Sequence, residues 1–265
     1  MSAGAPPRTR DRLRIGQIAI DPVTFSEALD TIATMVASGL GGSVLTPNLD
    51  HVVMADEHEG FRRAYAAASL CVVDGMPLLW ASRLLGAPLP EKISGSDLVW
   101  PLLERARAQR WRVYLLGGAA GVGQRAAERI LERLPGIVIA GIDAPTIDMN
   151  EAASSRAHVL ERIRAANADL VLVGLGAPKQ ELWIAEAAPA LGRPVLLGVG
   201  ASLDFLAGTL RRAPKWMSAS GLEWLFRLGQ EPRRLWRRYL VRDPKFALIL
   251  LRDLRAHGAR ARRPP

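Results

Sequence analysis

The feature that most constrains the fold of this 265-residue chain is a recurring unit: a short apolar run, a glycine-rich or polar turn, and a stretch with helical spacing. The apolar runs are 43–46, 70–73, 111–116, 137–141, 170–173 and 195–197. Strands that alternate with helices in this way are typical of a parallel sheet covered on both faces. The sequence therefore predicts an α/β protein with a Rossmann-like parallel sheet and helices on both faces. One further strand is predicted over 13–20, where apolar and polar residues alternate.

Polar residues and glycines follow several of these runs directly. Thr46 and Asn48 come after the first run, Asp74 after the second, and Gly117 and Gly176 after two later ones. In open α/β sheets, ligands bind outside the carboxyl ends of the strands. We therefore expect these residues to share one edge of the sheet.

Asp74, between the run 70–73 and Gly75, has two interpretations. A carboxylate at the end of a buried strand suits a general base, because partial burial raises its pKa towards working pH. An aspartate here would equally suit the cap of a following helix. Thr46 and Asn48 are ambiguous in a similar way, since turn-forming residues at a strand end also offer hydrogen bonds to a polar ligand.

A second candidate is the glycine turn 117–123. Gly117 and Gly118 would let backbone N–H groups approach a phosphate, and the following helix N-terminus would add partial positive charge. Tight packing of the strand against the helix explains these glycines about as well. The turn lacks the G-x-G-x-x-G spacing of dinucleotide-binding proteins, which counts against a nucleotide-dependent oxidoreductase.

The segment 176–181, Gly-Ala-Pro-Lys-Gln-Glu, is more distinctive. Pro178 suits the first turn of a helix, which places Lys179 and Gln180 at a helix N-terminus on the same edge. A helix start favours acidic side chains, so Lys179 is unfavourable there unless it faces an anion. The alternative is that Lys179 simply points into solvent.

Several chemistries lack the residues they need. The single cysteine, Cys71, excludes an intrachain disulfide, and the four histidines show no zinc-binding spacing. The absence of any Asp-x-Asp pair removes the usual metal clamp for a nucleotide diphosphate, so we expect no metal and no cofactor. No segment has the roughly 20 apolar residues of a spanning helix, which predicts a protein that is soluble or lies on a membrane without crossing it.

Positive charge is concentrated at the C-terminal end of the sequence. Segment 211–265 holds 15 Lys+Arg and 4 Asp+Glu, whereas residues 1–210 hold 20 Lys+Arg and 22 Asp+Glu. The whole positive excess of the chain, whose net charge is +9, therefore lies in this segment. Such asymmetry suggests a nucleic-acid or membrane-surface partner for the basic segment, and a merely solvated basic tail is the alternative.

The basic segment also differs in its aromatic content. Arginines are interleaved with Trp and other aromatic residues over 216–246, a pattern that suits an interfacial helix and could also arise from core packing. Pro214, Pro232 and Pro244 break the segment into short helices. We therefore predict a disordered tail over 1–12, an α/β core over 13–210, a basic helical membrane-associating appendage over 211–255, and a disordered tail over 256–265.

Taken together, these stretches resemble the WecG/TagA/CpsF family of bacterial glycosyltransferases over roughly residues 13 to 250. The most specific pieces are Gly-Ala-Pro-Lys-Gln-Glu at 176–181 and Glu-Trp-Leu-Phe-Arg at 223–227. The other matching segments are 46–48 (TPN), 74–75 (DG), 95–97 (GSD), 115–118 (LLGG), 204–208 (DFLAG), 212–214 (RAP), 231–234 (EPRR) and 238–239 (RY).

The resemblance implies an inverting, metal-independent transferase that is similar to N-acetylmannosaminyltransferases. Its donor would be a UDP-sugar, in the best-known branches UDP-N-acetylmannosamine or its uronic acid. Its acceptor would be polyprenyl-diphosphate-linked N-acetylglucosamine at the cytoplasmic face of the membrane, and its products would feed cell-surface polysaccharide or teichoic acid synthesis. The implied location is cytoplasmic and peripheral, on an anionic membrane surface, without nucleic acid; self-association into a homo-oligomer is left open.

The resemblance also implies roles for individual residues. The family's general base falls on Asp74, and its substrate pocket on Thr46, Asn48 and Gln180. Lys92 stands where many relatives have arginine; it keeps the charge but loses the bidentate fork. The arginines of the appendage that complete the site are Arg227, Arg234 and Arg237.

Two rival functions make different predictions. A non-catalytic basic module would bind nucleic acid or a membrane through its arginines, although neither a helix-turn-helix nor an RRM signature is present. Salt-sensitive DNA affinity without UDP-sugar binding would favour that module. Binding of NAD(P) would favour an oxidoreductase.

Overall fold

The computed structural model describes residues 11–150 and 152–261. The described chain begins with an antiparallel hairpin of β1 (Leu13–Ile15) and β2 (Ile18–Ile20). One continuous strand was expected here. Gly16 instead has a φ of +57°, a left-handed conformation that favours glycine, and the chain reverses there.

A six-stranded parallel sheet forms the centre of the protein, in the order β4-β3-β8-β7-β5-β6. Each apolar run singled out in the sequence overlaps one of its strands. The strands are β3 (Gly42–Leu45), β4 (Leu70–Cys71), β5 (Arg112–Gly117), β6 (Val138–Asp143), β7 (Leu170–Gly174) and β8 (Val195–Gly198). Because all six run in one direction, their carboxyl ends meet at one edge, as the sequence predicted.

Helices connect the strands and cover the sheet. In chain order they are α1 (Phe25–Ser38), α2 (Leu49–Glu57), α3 (Glu59–Ala67), α4 (Met76–Leu84), α5 (Gly95–Gln109), α6 (Val122–Arg133), α7 (Ala157–Ala165), α8 (Lys179–Leu191) and α9 (Ser202–Ala207). A short 3-10 turn, Ala153–Arg156, precedes α7.

Alternate residues of the central strands enter two separate cores. In β7, Leu170 and Leu172 pack on one face, whereas Val171 and Val173 pack on the other. Each such side chain contributes about 1.5–3 kcal/mol when fully buried. Cores on both faces confirm the predicted α/β class with helices on both sides of a parallel sheet.

Beyond α9 the chain forms several short helices that begin at or next to Pro214, Pro232 and Pro244, as expected, and then one longer helix; we call residues 211–261 the appendage. Its elements are α10 (Lys215–Ala219), α11 (Glu223–Gln230), α12 (Pro232–Arg237), a π-helical turn (Arg238–Arg242), a 3-10 turn (Asp243–Lys245) and α13 (Phe246–Ala261). Within the described ranges, none of the helices combines the length and apolar character that crossing a bilayer requires.

The ends of the described chain are more ordered than the sequence suggested. Arg12, expected in a disordered tail over 1–12, pairs with Asp21 at 2.8 Å between Nε and Oδ1, and both side chains are largely buried. Residues 256–261, expected to be disordered, continue α13, because Phe246 and Ile249 anchor this helix in the core. The remaining tail residues, 1–10 and 262–265, lie outside the described part.

Ion pairs join the appendage to acidic residues of α2. Lys245 Nζ lies 2.6 Å from Glu57 Oε1, and Arg252 donates two hydrogen bonds to Asp56 at 2.7 and 3.2 Å. These partly exposed pairs contribute ~1 kcal/mol or less each. They nevertheless show that part of the appendage's basic charge is matched by the core.

Candidate active site

Two adjoining cavities lie at the carboxyl edge of the sheet, between the core and the appendage. The polar cavity, about 370 Å³, is lined by Thr46, the α8 N-terminus and several arginines. The aromatic cavity, about 380 Å³, is lined by Met76, Trp80, Trp224 and Tyr239. Five residues line both cavities: Asn48, Asp74, Glu223, Arg227 and Arg238.

Asp74 lies where the two cavities meet, just beyond β4. Its backbone N–H donates to the Pro47 carbonyl at 2.8 Å, which ties the loop after β4 to the loop after β3. The next helix, α4, is capped by Gly75 without a side-chain hydrogen bond, so the capping interpretation of Asp74 is not what the structure shows. The carboxyl group faces the cleft instead.

The surroundings of Asp74 adjust its protonation. Burial, with the Glu223 carboxylate as a second cause, raises the pKa of Asp74 to about 7, although the nearby Lys92 ammonium opposes that rise. A carboxylate whose pKa lies near neutral pH is a stronger base than an ordinary carboxylate, which suits it to accept the proton of a hydroxyl group while the hydroxyl oxygen forms a new bond. Its position and its pKa therefore suit general-base chemistry.

Asn48 caps a helix and also contacts the appendage. As the N-cap of α2, its Oδ1 accepts a hydrogen bond from the His51 N–H at 3.2 Å. The same oxygen accepts another from Arg238 Nη2 at 3.1 Å, so this cap also orients an appendage arginine. Thr46, half-buried after β3, lines the polar cavity beside it.

Lys92 lies at the junction of core and appendage, on the wall of the aromatic cavity. Its Nζ donates to Ser218 Oγ at 3.2 Å and lies 3.5 Å from Asp97 Oδ2 and 4.0 Å from Glu223 Oε2. In this structure the lysine charge is therefore shared among carboxylates around Asp74. A point charge serves that purpose without the bidentate fork of arginine.

At the start of α8, Gln180 is buried and held on both sides of its amide. Its Oε1 accepts from the Gly200 N–H at 2.8 Å, and its Nε2 donates to Glu181 Oε1 at 2.9 Å. Burial raises the pKa of Glu181 to about 7. Gly176 also lines the polar cavity. Lys179 is exposed and lines neither cavity, so it matches the alternative in which its side chain points into solvent.

The two glycines after β5 have a packing role. A Cβ on Gly117 would lie 2.4 Å from the Gly174 carbonyl oxygen, and the Gly118 N–H donates to that same oxygen at 2.9 Å. Neither glycine lines the cleft cavities. The structure thus matches the tight-packing alternative, and the phosphate-binding role of Gly117 and Gly118 stays an untested prediction.

The three predicted appendage arginines differ in position. Arg227 lines both cavities, and Arg234 lines the polar cavity while pairing with Glu231 at 2.8 Å. Arg237 is exposed, with its guanidinium carbon 5.4 Å from the centre of the Trp236 ring. The inward placement expected for Arg237 is therefore not observed, and its neighbour Arg238 lies in the cleft.

Sequence reasoning missed Asp50, Arg238 and Arg242, which form one cluster at the polar cavity. The available signal was the spacing of the two arginines, since residues four apart lie on one face of a helical segment. Glu181 and Glu223 were also missed as site residues, although both stood inside quoted motifs.

Comparison with known proteins identifies the family. The model of the "Glycosyl transferase WecG/TagA/CpsF family" matches residues 13–260. This chain belongs to that family. Membership confirms the resemblance described above and makes the chain a glycosyltransferase of the WecG/TagA/CpsF family rather than a non-catalytic basic module.

Three relatives align with this WecG/TagA/CpsF-family chain over most of both sequences. The N-acetylglucosaminyldiphosphoundecaprenol N-acetyl-beta-D-mannosaminyltransferase of Bacillus spizizenii is 32% identical over 234 residues, covering 88% of this chain and 87% of its own. Proteins of that name from Bacillus subtilis and Staphylococcus aureus are 31% and 30% identical. Those alignments cover 81% and 83% of this chain and 80% and 85% of the relatives.

Proposed function

We propose that this protein transfers N-acetylmannosamine from its UDP derivative to polyprenyl-diphosphate-linked N-acetylglucosamine, with inversion at the anomeric carbon. The observation that carries the proposal is the position of Asp74, a carboxyl group with a pKa of about 7 between an arginine-lined and an aromatic cavity. The names of the relatives supply the sugar and the lipid-linked acceptor.

The reaction follows from that arrangement. Deprotonated Asp74 takes the proton of the acceptor hydroxyl group as its oxygen forms a bond to the anomeric carbon. The bond from that carbon to the UDP oxygen breaks on the opposite face, and UDP leaves with the electron pair. Arg227 supports this step, because a fixed guanidinium stabilises the charge that develops on the departing diphosphate.

The polar cavity suits the donor. Thr46, Asn48 and the α8 N-terminus offer hydrogen bonds to a sugar, and Arg227 and Arg234 offer charge to phosphates. In this assignment the amide of Gln180, held by Gly200 and Glu181, forms a rigid wall of the donor site. The roles of these residues are part of the proposal.

The aromatic cavity suits the acceptor and its lipid. Trp80 and Trp224, both partly exposed, line its wall, and Trp216 and Leu225 add exposed apolar surface on the same appendage. Aromatic residues beside basic ones are typical of proteins that lie in a membrane interface. We propose that this surface docks on the anionic inner face of the cytoplasmic membrane; a homo-oligomer stays an untested prediction.

The experiment that tests the function is a product analysis with a panel of UDP-sugars and a short-chain lipid-linked acceptor. UDP-N-acetylmannosamine should give an acceptor heavier by one N-acetylhexosamine residue, with β configuration at the new linkage. Transfer from the corresponding uronic acid donor alone would contradict the choice of sugar. Salt-sensitive DNA binding without any transfer would contradict the function itself.

A further inference from the structure

One carboxyl group of the polar cavity lacks a full set of hydrogen-bond partners. Glu181, the third residue of α8, is 1% exposed and contributes to the wall of that cavity. Its Oε1 accepts a hydrogen bond from Gln180 Nε2 at 2.9 Å. Its Oε2 is shielded from solvent and has no hydrogen-bond partner among the described residues. A buried polar atom without a partner costs free energy, so an oxygen in this state calls for an explanation.

The charges around Glu181 do not neutralise it. Burial raises the pKa of Glu181 to about 7; the Asp50 carboxylate acts in the same direction, and hydrogen bonds from Gln180 and from the backbone oppose the rise. Arg238 opposes it as well, but this guanidinium also serves Asp50, since its Nε lies 3.1 Å from Asp50 Oδ2. Glu181 therefore titrates near neutral pH, and Oε2 needs a hydrogen-bond partner in either protonation state.

The chemistry of a carboxyl group restricts the ligand group that can supply this partner. A hydroxyl group suits both protonation states, because it donates to a carboxylate and accepts from a carboxylic acid. A phosphate oxygen carries negative charge, so the Glu181 carboxylate would repel it. The wall of the polar cavity therefore combines two kinds of residue: Arg227 and Arg234 suit phosphates, whereas Glu181 suits a neutral, hydroxylated group.

The N-terminus of α2 connects Glu181 with the proposed base. Asp50, whose charge acts on Glu181, lies two residues after Asn48, and the preceding residue, Pro47, accepts the Asp74 N–H through its carbonyl group. Asn48, Asp74 and Glu181 all line the polar cavity. The proposed reaction brings the anomeric carbon to an acceptor hydroxyl group held by Asp74. The sugar is thus the part of the donor that we expect beside these residues.

We propose that Glu181 determines which sugar the polar cavity accepts: its Oε2 binds a hydroxyl group of a neutral donor sugar, and its negative charge disfavours a sugar that carries a carboxylate. Repulsion of the wrong ligand is a common source of specificity. The inference rests on the proposed function for the identity of the ligand and deepens it, because it separates N-acetylmannosamine from the corresponding uronic acid. Glu181 takes no proton in the reaction, and that role stays with Asp74.

Calorimetric titrations of the full chain without acceptor test the inference. The ligands are UDP, UDP-N-acetylmannosamine and the corresponding UDP-uronic acid, at pH 8, where Glu181 is mostly ionised. Glu181→Ala should weaken binding of UDP-N-acetylmannosamine ~10–100-fold, the loss expected for a hydrogen bond to a charged group. It should leave UDP binding unchanged, because UDP lacks the sugar.

Glu181→Gln keeps the size of the side chain and removes its charge. This variant should lose less affinity for UDP-N-acetylmannosamine than Glu181→Ala, and it should bind the UDP-uronic acid ~5–10-fold more tightly than the wild type, because the like charge is gone. The matched control is Glu186→Gln, which removes a charge from the same helix. Glu186 pairs with Arg156 at 2.7 Å and lines neither cleft cavity, so all three affinities should stay within about twofold of the wild type.

Melting curves at pH 8 establish that the variants are folded. Since burial disfavours the Glu181 carboxylate, Glu181→Gln should melt no lower than the wild type. If Glu181→Ala does not fold, the ratio of the two UDP-sugar affinities in Glu181→Gln decides, and a ratio equal to that of the wild type overturns the inference.

Two other results overturn the inference. Equal losses of UDP and UDP-N-acetylmannosamine affinity in Glu181→Ala would place the contact on the nucleotide. Unchanged donor affinities, with a raised KM for the acceptor alone, would place it on the acceptor sugar. A wild-type protein that binds the UDP-sugars with the expected preferences but transfers no sugar contradicts the proposed function alone.

Discussion

The α/β core and the appendage are held in place by different interactions. In the core, strand residues alternate between two continuous apolar clusters, one on each face of the sheet. In the appendage, Leu235, Phe246 and Ile249 are the buried apolar residues among those described, and ion pairs to α2 and to Asp97 add further contacts with the core.

That difference assigns the chemistry to two parts of the chain. The core supplies the proposed base, Asp74, on a loop anchored between buried strands. The appendage supplies Arg227 and Arg238, which line both cavities beside it. One wall of the cleft therefore comes from the core, and the other comes from an appendage that is joined to the core by ion pairs as well as by a few buried apolar residues. Substitutions in the two parts should differ in kind as well as in size.

The largest effect is expected from Asp74→Asn, which removes the base from the core side. Turnover should fall ~10²–10⁴-fold, the usual range for loss of a general base, while UDP affinity stays near the wild type. Since burial disfavours the Asp74 carboxylate, the variant should melt no lower than the wild type at pH 8. Turnover close to the wild type would remove Asp74 from this role and shift attention to the appendage.

The next largest effect compares two neighbouring arginines of the appendage. Arg238→Ala should lower turnover ~10–100-fold, because Arg238 lines the cleft and contacts Asn48. Arg237→Ala should have a much smaller effect, about threefold or less, because its guanidinium lies over Trp236. Steady-state turnover of both variants at saturating donor measures the difference. The reverse order would support the placement that the family resemblance implied.

The fate of these two arginines shows what the sequence could predict and what it could not. Buried strands were recognisable because both faces of a parallel sheet are covered, so apolar runs and the polar residues after them stood out. The orientation of Arg237 was not recognisable, because it depends on how a short helix continues into a π-helical turn. The role of Asp50 was not recognisable either. An acidic residue in the first turn of a helix is common, and the arginines that contact Asp50 lie about 190 residues away in the sequence.

A smaller effect is expected on the pH dependence of turnover, which reflects the charges near Asp74. The proposed base must be deprotonated, so turnover should rise with pH through about 7. Glu223→Gln removes a negative charge near Asp74, lowers the pKa of Asp74, and should move the acid limb to lower pH by about half a unit or more. Lys92→Met removes a positive charge and should move it to higher pH.

Profiles of kcat against pH for the two variants and the wild type check both directions. The other charges acting on Asp74, from Asp97 and Arg227, are unchanged in either variant. Movement of both limbs in the same direction would contradict the assignment of the limb to Asp74.

A still smaller effect is expected at the surface, where the appendage alone should matter. Trp216, 65% exposed, lines neither cavity, and Trp216→Ser should weaken sedimentation with anionic vesicles about three- to tenfold without changing turnover on a soluble acceptor analogue. Leu40→Ser is the control, because Leu40 is similarly exposed, at 57%, but belongs to the core. Equal losses in the two variants would contradict docking through the appendage.

The smallest expected effect is that of metal chelation. It tests whether the appendage arginines stabilise the departing diphosphate without a metal ion. The sequence has no Asp-x-Asp pair, and among the described residues no group of three or more His, Cys, Asp or Glu is arranged to hold a metal ion. Four arginines of the appendage line the polar cavity, and fixed guanidinium groups stabilise a departing diphosphate by the same electrostatic principle as a cation. Turnover in excess EDTA should therefore equal turnover in added Mg²⁺, for the wild type and for Arg252→Gln alike. Loss of activity on chelation and its recovery with Mg²⁺ or Mn²⁺ would show that the appendage charges do not suffice, and that the core takes part in holding a metal with the substrate phosphates.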